Sequence, residues 1–405
     1  MLSDQARARG AIWPPVEYET LPWQRQDATA MASRTQLRRH QGPYQAAIVP
    51  AIADADLVLP AEVVAMAEEA SGEIARFDAE MGGEIAPFAA VLLRSESAAS
   101  SQIENLTASA RAIAEAEIGD TSRRNAVQIV ANTRAMDAAI ALAGRISADS
   151  ILAMHHALMA GTEPESAGRW REGQVWIGGG RLGPYGAMFV PPHHSRVVPA
   201  IEDLIAFIQR DDLPVLAQAA IAHAQFETIH PFSDGNGRTG RALLHSMLRS
   251  KGLTRNVTVP VSAGLLTDTQ TYFNALDAYR AGDPVPIVTQ LANAGFLAVA
   301  NGRRLVAELR QIGNGWRSRI SARRDSRVWQ VLGLLMRHPV INAQLLVREL
   351  GVAGSNVYRY IEPLVRAGIL TEFTDRKRHR AWRSTEVLAA LDAFAARAGR
   401  RTIHR

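Results

Sequence analysis

The chain contains no cysteine, which excludes disulfide frameworks, thiol nucleophiles and Cys-ligated zinc and fits a reducing compartment. No apolar run approaches the roughly 18 residues that a membrane helix requires. The opening residues, MLSDQARARG, lack the apolar core of a secretory signal. The expectation is a cytoplasmic protein without a membrane partner. Glycine (30) and proline (19) are near average usage in 405 residues, so collagenous and low-complexity classes fall away. No internal repeat with a period of about 20–50 residues is present, which excludes solenoids and propellers. Lysine is almost missing, with only Lys251 and Lys377, and arginine carries nearly all the positive charge. We read that as compositional bias rather than function.

What is present is a globular composition, 47% apolar and 21% charged, over a length that suits two or three domains. The net charge of +5 is unevenly spread. Residues 303–405 hold 21 Lys and Arg against 8 Asp and Glu, a net of +13, and the first 302 residues hold 24 against 32, a net of −8. A basic C-terminal module on an acidic body points toward a polyanionic partner.

Residues 1–50, with Trp-Pro-Pro and Leu-Pro-Trp, show little periodicity and read as an extended segment lying on the body. From Leu59 to Arg145 the pattern is helical, with Ile129, Thr133, Met136 and Ile140 on one face. The Gly/Pro-rich stretch Gly168–Pro192 has a β-favouring centre at Gln174–Ile177 and reads as a hairpin or flap. Helical periodicity returns through Ala200–Ile229, Arg238–Lys251 and Thr269–Tyr279. Ile312–Ser326, rich in Gly, Ser and Arg, is the expected linker. Beyond it, helices over Trp329–His338, Asn342–Leu350 and Ser355–Ala367 precede an alternating stretch, Ile369–Trp382, with a basic loop. That order is a winged helix-turn-helix plan.

The chemistry concentrates in His230-Pro231-Phe232-Ser233-Asp234-Gly235-Asn236-Gly237-Arg238-Thr239-Gly240-Arg241. A helix must end at His230, because the residue before proline is pushed out of the α region. The next helix is expected to begin near Arg238, with Gly252 as its stop. Between them, Gly235, Asn236 and Gly237 tolerate unusual dihedrals, so successive amides can form an anion nest at a helix N-terminus. Arg238 and Arg241, three apart, share a helix face and can reach one polyphosphate. Asp234 supplies a hard carboxylate suited to Mg²⁺ shared with substrate phosphates. His230 has the near-neutral titration a general base requires. A zinc pair of His223 and His230 fails, since seven helical residues separate them by about 10 Å. The Gly-x-x-x-x-Gly-Lys-Ser/Thr phosphate loop is absent.

This segment matches every fixed position of the Fic (filamentation induced by cAMP) signature, H-x-F-x-[D/E]-G-N-G-R-x-x-R, and over residues 10–300 the chain resembles that family. The resemblance implies a mostly α Fic-fold core with a small β-hairpin flap, plus the C-terminal winged helix-turn-helix. The implied activity is transfer of AMP from Mg-ATP to a Ser, Thr or Tyr hydroxyl of a target protein and of the chain itself. On that reading His230 takes the hydroxyl proton, Phe232 anchors the loop and Asp234 holds Mg²⁺. Gly235, Asn236, Gly237 and Arg238 bind phosphate, Thr239 and Gly240 complete the binding loop, and Arg241 grips the γ-phosphate. Tyr272, paired with Phe273, stands where the family often has aromatics near the adenosine. Val175, Trp176, Ile177 and Gly178 correspond to the flap that aligns a target chain. Gly237 argues against Fic-fold kinases, which have lysine there.

Upstream, Ser100-Ser101-Gln102-Ile103-Glu104-Asn105 resembles the family's inhibitory motif, [S/T]-x-x-x-E-[G/N]. It implies an inhibitory helix at about 97–118 and a Glu104 that pairs with Arg241, keeping ATP in a non-reactive pose. In some relatives the same glutamate orients a water that removes AMP. The resemblance also implies a homodimer. The expected organisation is an N-terminal segment 1–120, a core 121–311, a linker 312–326 and a winged module 327–405. In that module Asn356, Tyr358 and Arg359 open the presumed recognition helix, and Arg376, Lys377, Arg378 and Arg380 form the wing. Two readings stand for them: DNA contact, mostly to phosphate, or packing against the body or a second subunit. Likewise the whole chain is either a self-inhibited enzyme or a nucleotide-sensing DNA-binding regulator. His155-His156 and His193-His194 read as surface or packing residues, and Trp13, Trp23, Trp170 and Trp176 as core or flap aromatics.

Overall fold

The structure, a computed structural model, describes residues 13–23, 42–82, 85–180, 182–374 and 380–399. Strands β1 (Glu17–Trp23) and β2 (Gly42–Ile48) pair antiparallel, Glu17 opposite Ile48. Helices α1 (Ala61–Glu80), α2 (Ile85–Ile103), α3 (Ala110–Glu117), α4 (Arg124–Ala141) and α5 (Ala148–Met159) follow. Next come α6 (Val197–Ile208), α7 (Val215–Ile229), α8 (Asn236–Ser250), α9 (Val261–Leu265), α10 (Thr269–Arg280) and α11 (Val285–Arg319). The chain continues through α12 (Val328–Arg337), β3 (Val340–Asn342), α13 (Ala343–Leu350), α14 (Val357–Arg366), β4 (Thr371–Glu372), β5 (Ala381–Arg383) and α15 (Thr385–Ala398). The fold is mostly helical, as expected.

Two compact units form. The first comprises Met1–Glu68, Ala138–Lys251 and Gln270–Leu291, the second Glu69–Asp137, Gly252–Thr269 and Ala292–Arg405. This division departs from the expected order of segments, because residues 69–137 cluster with the C-terminal part of the chain.

In the first unit, α7 is buried at every position from Leu216 to Ile229, as a helix apolar on most sides must be. It packs between α6 and α8. A Cβ on Gly240 of α8 would lie 2.9 Å from the Phe226 ring, so only glycine permits this approach. The N-terminal segment is not merely extended, since β2 continues onto Val190 through Ala47 N–H (3.0 Å). The expected flap hairpin is reduced to a single antiparallel bridge, Ile177 to Phe189. The intervening chain is turned by Gly178, Gly179 and Gly186, all at positive φ, and these break any longer ladder.

In the second unit, α2 carries buried serines. Ser97 and Ser101 each donate to the carbonyl four residues back, at 2.9 and 2.8 Å, and Asn132 of α4 donates to the Ser97 carbonyl (2.9 Å) and the Ser101 hydroxyl (3.2 Å). Buried Glu96 accepts from the Ser262 amide at 2.9 Å and from its hydroxyl. The stretch read as a linker is helical up to Arg319. Glycine costs a helix only about 1 kcal/mol, and burial of Trp316, whose indole donates to Glu386 at 2.6 Å, offsets it. A Cβ on Gly313 would come within 3.0 Å of Met336, so that glycine makes room for α12.

The C-terminal segment forms a three-stranded antiparallel sheet, in the order β3-β5-β4, with α12 to α15 around it. Val340 and Leu388 from this segment share an apolar cluster with Ala114 of α3. Arg94 of α2 makes two bonds to Glu117, at 2.6 and 2.8 Å, and a third to the Arg337 carbonyl at 2.7 Å. Burial works against the Glu117 charge, but Arg94 and His338 outweigh it and leave its pKa lowered.

Removing one partner of this pair strands the other charge in the interior. Glu117→Gln is expected to reduce unfolding free energy by about 3–5 kcal/mol, with the double variant Arg94→Met, Glu117→Leu losing less than the single one. Urea denaturation at pH 7 measures both, and a loss under about 1 kcal/mol in the single variant would show that the pair is not holding α2 to α3.

Candidate functional site

The loop from His230 to Gly235 joins α7 to α8, which pack on each other. His230 ends α7 in the left-handed region (φ 50°, ψ 62°), the conformation that stops a helix before Pro231. The new helix starts at Asn236, two residues earlier than the sequence indicated, because Gly235 (φ 76°) serves as its N-cap. A Cβ on Gly235 would sit 3.0–3.1 Å from Leu158 and Met159 of α5, so both its dihedral and its packing demand glycine. The amides of Asn236, Gly237 and Arg238 therefore lie in a first turn that offers them no acceptor within the helix.

Phe232 pins this loop. Its ring is fully buried, stacked on His155 at 3.7 Å with 6° between planes, and on Trp170 at 5.1 Å. Asn236 closes the loop across its neck: its carbonyl accepts from the Phe232 amide (2.8 Å) and its amide donates to the Phe232 carbonyl (2.9 Å). The Asn236 side chain is thus committed to the loop, leaving only its backbone amide for an anion.

His155 has a second task. Its Nδ1 accepts from the Gly168 amide at 3.0 Å, so its Nε2–H must donate to the Asp234 carbonyl, 3.1 Å away. This arrangement requires a neutral ring. Burial pushes its pKa down to about 4, against the opposing pull of Asp234.

His230 is neutral as well. Burial and then the charges of Arg171 and Arg280 push its pKa down to about 3, while the Glu227 carbonyl and Asp234 act in the other direction. Arg171, itself buried, donates to the His230 carbonyl at 2.8 Å. Asp234 is exposed. One of its oxygens accepts from the Gly235 amide (2.7 Å) and the other lies 3.8 Å from Arg238. Among the described residues no group of three or more His, Asp or Glu could hold a metal alone. A single exposed carboxylate of this kind fits an ion that takes its remaining ligands from substrate.

Of the expected ligands, Arg238 and Arg241 lie in the first turns of α8 and both are buried. Arg241 approaches His223, whose pKa is pushed to about 3 by burial first and by Arg241 next. Thr239 is wholly buried and Gly240 fills the contact with Phe226, so both serve the packing of α8 on α7. Tyr272, expected near the adenosine, is placed in the interior. It is 1% exposed and its hydroxyl is bonded to His223 Nε2 at 2.8 Å, a core position, whereas Phe273 beside it is 44% exposed.

The flap residues Val175, Trp176 and Ile177 are half-buried and Gly178 is exposed. Ile177 packs on Val16, Ala47 and Phe189, and Trp176 meets Trp23 edge-on at 5.5 Å. Glu104, in the second unit, caps α2. The chain leaves the helix at Asn105 in the left-handed region (φ 61°), with Leu106 N–H bonded to Ser101 O and Asn105 N–H to Gln102 O. The inhibitory helix expected over 97–118 is therefore two helices, α2 and α3, broken at Asn105, which is one reason a motif of this form would want Asn or Gly after the glutamate.

In the C-terminal segment Asn356, Tyr358 and Arg359 are exposed. Arg376, Lys377 and Arg378 lie outside the described residues. Arg380 is not a free wing cation: it is paired with Glu372 through both Nε (2.6 Å) and Nη2, and it covers the rings of Tyr358 and Trp382. Sequence reasoning missed Arg171 and gave His155 and Trp170 no share in the loop. The signal for Trp170 and Arg171 was a place between Gly168 and Gly173 in a glycine-rich stretch, and His155, within α5, carried none.

Residues 145–248 match the Fic/DOC family. The chain is 31% identical over 150 residues to a protein adenylyltransferase fic-1 of Caenorhabditis elegans, covering 36% of this chain and 27% of that protein. It is 28% identical over 150 residues to a protein adenylyltransferase Fic of Nematostella vectensis, covering 36% and 32%. The chain thus matches between a quarter and a third of the length of these relatives. A Fic family protein from Desulfovibrio desulfuricans G20 shares the fold, with a TM-score of 0.52 at 22% identity over 81% of this chain and 97% of that one.

The lowered pKa values of His155 and His223 carry a sign. Each is neutral in the folded chain but takes a proton when unfolded near pH 6.5, so their contribution is present above that pH and lost as pH falls toward 4. Stability should fall by about 1.4 kcal/mol per pH unit for each such histidine. His155→Gln, which keeps one donor and one acceptor, should show a slope shallower by one histidine's share between pH 6 and 5. Denaturation at several pH values tests this, and an unchanged slope would contradict the neutral-lock assignment.

Proposed function

We propose, taking the Fic/DOC domain of residues 145–248 as the premise, that this protein transfers AMP from ATP to a hydroxyl side chain of a protein target. The observation that carries the reading is the convergence of a neutral imidazole at the end of α7 with the first turn of α8, its amides and its two arginines. The names of the relatives support the reading.

In this mechanism the amides of Asn236 and Gly237, with Arg238, hold the α- and β-phosphates, and Arg241 holds the γ-phosphate. Asp234 would hold Mg²⁺, which neutralises phosphate charge during transfer. The target hydroxyl oxygen bonds to the α-phosphorus, and the bond from that phosphorus to the oxygen bridging the β-phosphate breaks. Pyrophosphate leaves with the electron pair, and the hydroxyl proton passes to His230. Bound polyphosphate adds negative charge beside the ring and raises its proton affinity from the resting value. Phe273, rather than Tyr272, is the exposed aromatic available to a base.

Glu104 acts as the brake by pairing with Arg241 and withdrawing it from the γ-phosphate. A carboxylate at a helix C-terminus faces the negative pole of the dipole, which favours a cationic partner. The element order over 328–399 supports a winged helix-turn-helix, and the exposed Asn356, Tyr358 and Arg359 supply its face for DNA.

Label from α-labelled ATP with Mg²⁺ is expected on the chain carrying Glu104→Gly, at least about ten-fold above wild type, and to vanish when His230→Ala is added. Autoradiography of the three proteins tests brake and base together. Absence of label from all three, with ATP, UTP, GTP and CTP alike, would favour a nucleotide-sensing DNA binder.

A further inference from the structure

Arg171 holds its charge in an unusual place. The side chain is buried, and its four hydrogen-bond partners are all backbone carbonyls: His230 at 2.8 Å from Nε, Gly173 at 3.0 Å from Nη1, and Pro192 at 2.5 Å and Ile229 at 3.5 Å from Nη2. Its own amide donates to the Pro231 carbonyl at 3.0 Å. Burial drives its pKa down to about 10, which still leaves it charged at neutral pH. A buried guanidinium bonded only to carbonyls is costly, and the negative end of the α7 dipole offsets only part of that cost.

The partners fall into two sets. Gly173 and Pro192 are the two roots of the flap, on either side of the Ile177 to Phe189 bridge. Ile229 and His230 form the last turn of α7 and the left-handed residue that ends it. A planar five-donor group spans both sets in one fixed geometry, which an ammonium cannot do. His230 is held in a backbone region that residues with a Cβ rarely occupy, so something outside the helix must keep it there.

We propose that Arg171 is a positioning residue that locks the roots of the flap to the His230 turn, so that a target strand lying along the flap presents its hydroxyl in register with the imidazole. The inference rests on the transferase reading above and names the element that aligns flap and base. Misplacement of reacting groups by about 1 Å is enough to cost some 100-fold in rate. Arg171 makes none of its bonds to the first turn of α8, so nucleotide binding should not depend on it.

The test uses the full chain carrying Glu104→Gly, with Arg171→Met and Arg171→Lys added separately. In Arg171→Met, kcat for AMP transfer should fall by about 100-fold, with KM for ATP and ATP affinity by calorimetry within about three-fold of the parent. Arg171→Lys should recover thermal stability, yet regain less than about a tenth of the lost rate, because one ammonium reaches only one set of carbonyls. Hydrogen exchange gives a readout independent of chemistry: amides at 174–178 and 228–232 should exchange faster together, with those of α8 unchanged. Full recovery of kcat by lysine, joint loss of kcat and ATP affinity, or faster exchange in only one of the two segments would each overturn the coupling. A parent that transfers no nucleotide while the two segments loosen together would instead sink the transferase reading and leave the clasp standing.

Discussion

The site depends on one aromatic contact, the Phe232 ring held between His155 and Trp170. A loop that must leave one helix in a left-handed residue and enter the next through another has little regular hydrogen bonding of its own. The stacked ring supplies what the backbone cannot, an apolar anchor at the loop's midpoint. Around it, the polar groups of the neck are tied down: Asn236 to the Phe232 backbone, His155 to the Asp234 carbonyl and the Gly168 amide, Asp234 to the Gly235 amide. The outer surface of the loop is thereby left to whatever ligand approaches the α8 N-terminus.

One buried imidazole, one half-buried imidazole and one buried guanidinium support this arrangement, and each is kept in a single protonation state. His155 and His230 stay neutral because burial penalises their charge. Arg171 stays charged because a guanidinium yields its proton so reluctantly that even burial leaves it protonated. The site is in this sense pre-set, with no proton to be moved at neutral pH before substrate arrives.

The His230–Arg241 loop was legible in the sequence because its parts are consecutive: twelve residues suffice to place a helix stop, a glycine N-cap and two arginines on one face. Three helices of the C-terminal segment, α12, α13 and α14, were legible from periodicity to within a residue or two, whereas α15 (Thr385–Ala398) was not anticipated. What the sequence hid came from distance or from packing. Arg171 and His155 reach the loop across 59 and 79 residues, and a lone arginine among glycines carries no pattern. Tyr272 and Phe273 are neighbours, and only the tertiary orientation of α10 decides which of them faces inward. Gly313 and Gly315 resembled a linker because local propensity says nothing of the buried Trp316 that holds the helix on its neighbours. Arg380 looked like a wing cation until its ion pair with Glu372 was seen.

The ending of α2 at Glu104 and Asn105 bears on how quickly the chain could respond to a signal. A glutamate in mid-helix is released only when the whole rod moves, whereas one at a terminal cap is released when a single turn frays. Opening of the exposed turn at Glu104 and Asn105 sits at the low end of the local-opening scale, while Ser100, Ser101 and Ile103 of the preceding turn stay buried. On the reading proposed above, Glu104 would act as a latch whose set point answers to substitutions at half-buried Gln102 or Leu106, which lie outside both the His230–Arg241 loop and the buried Ser101.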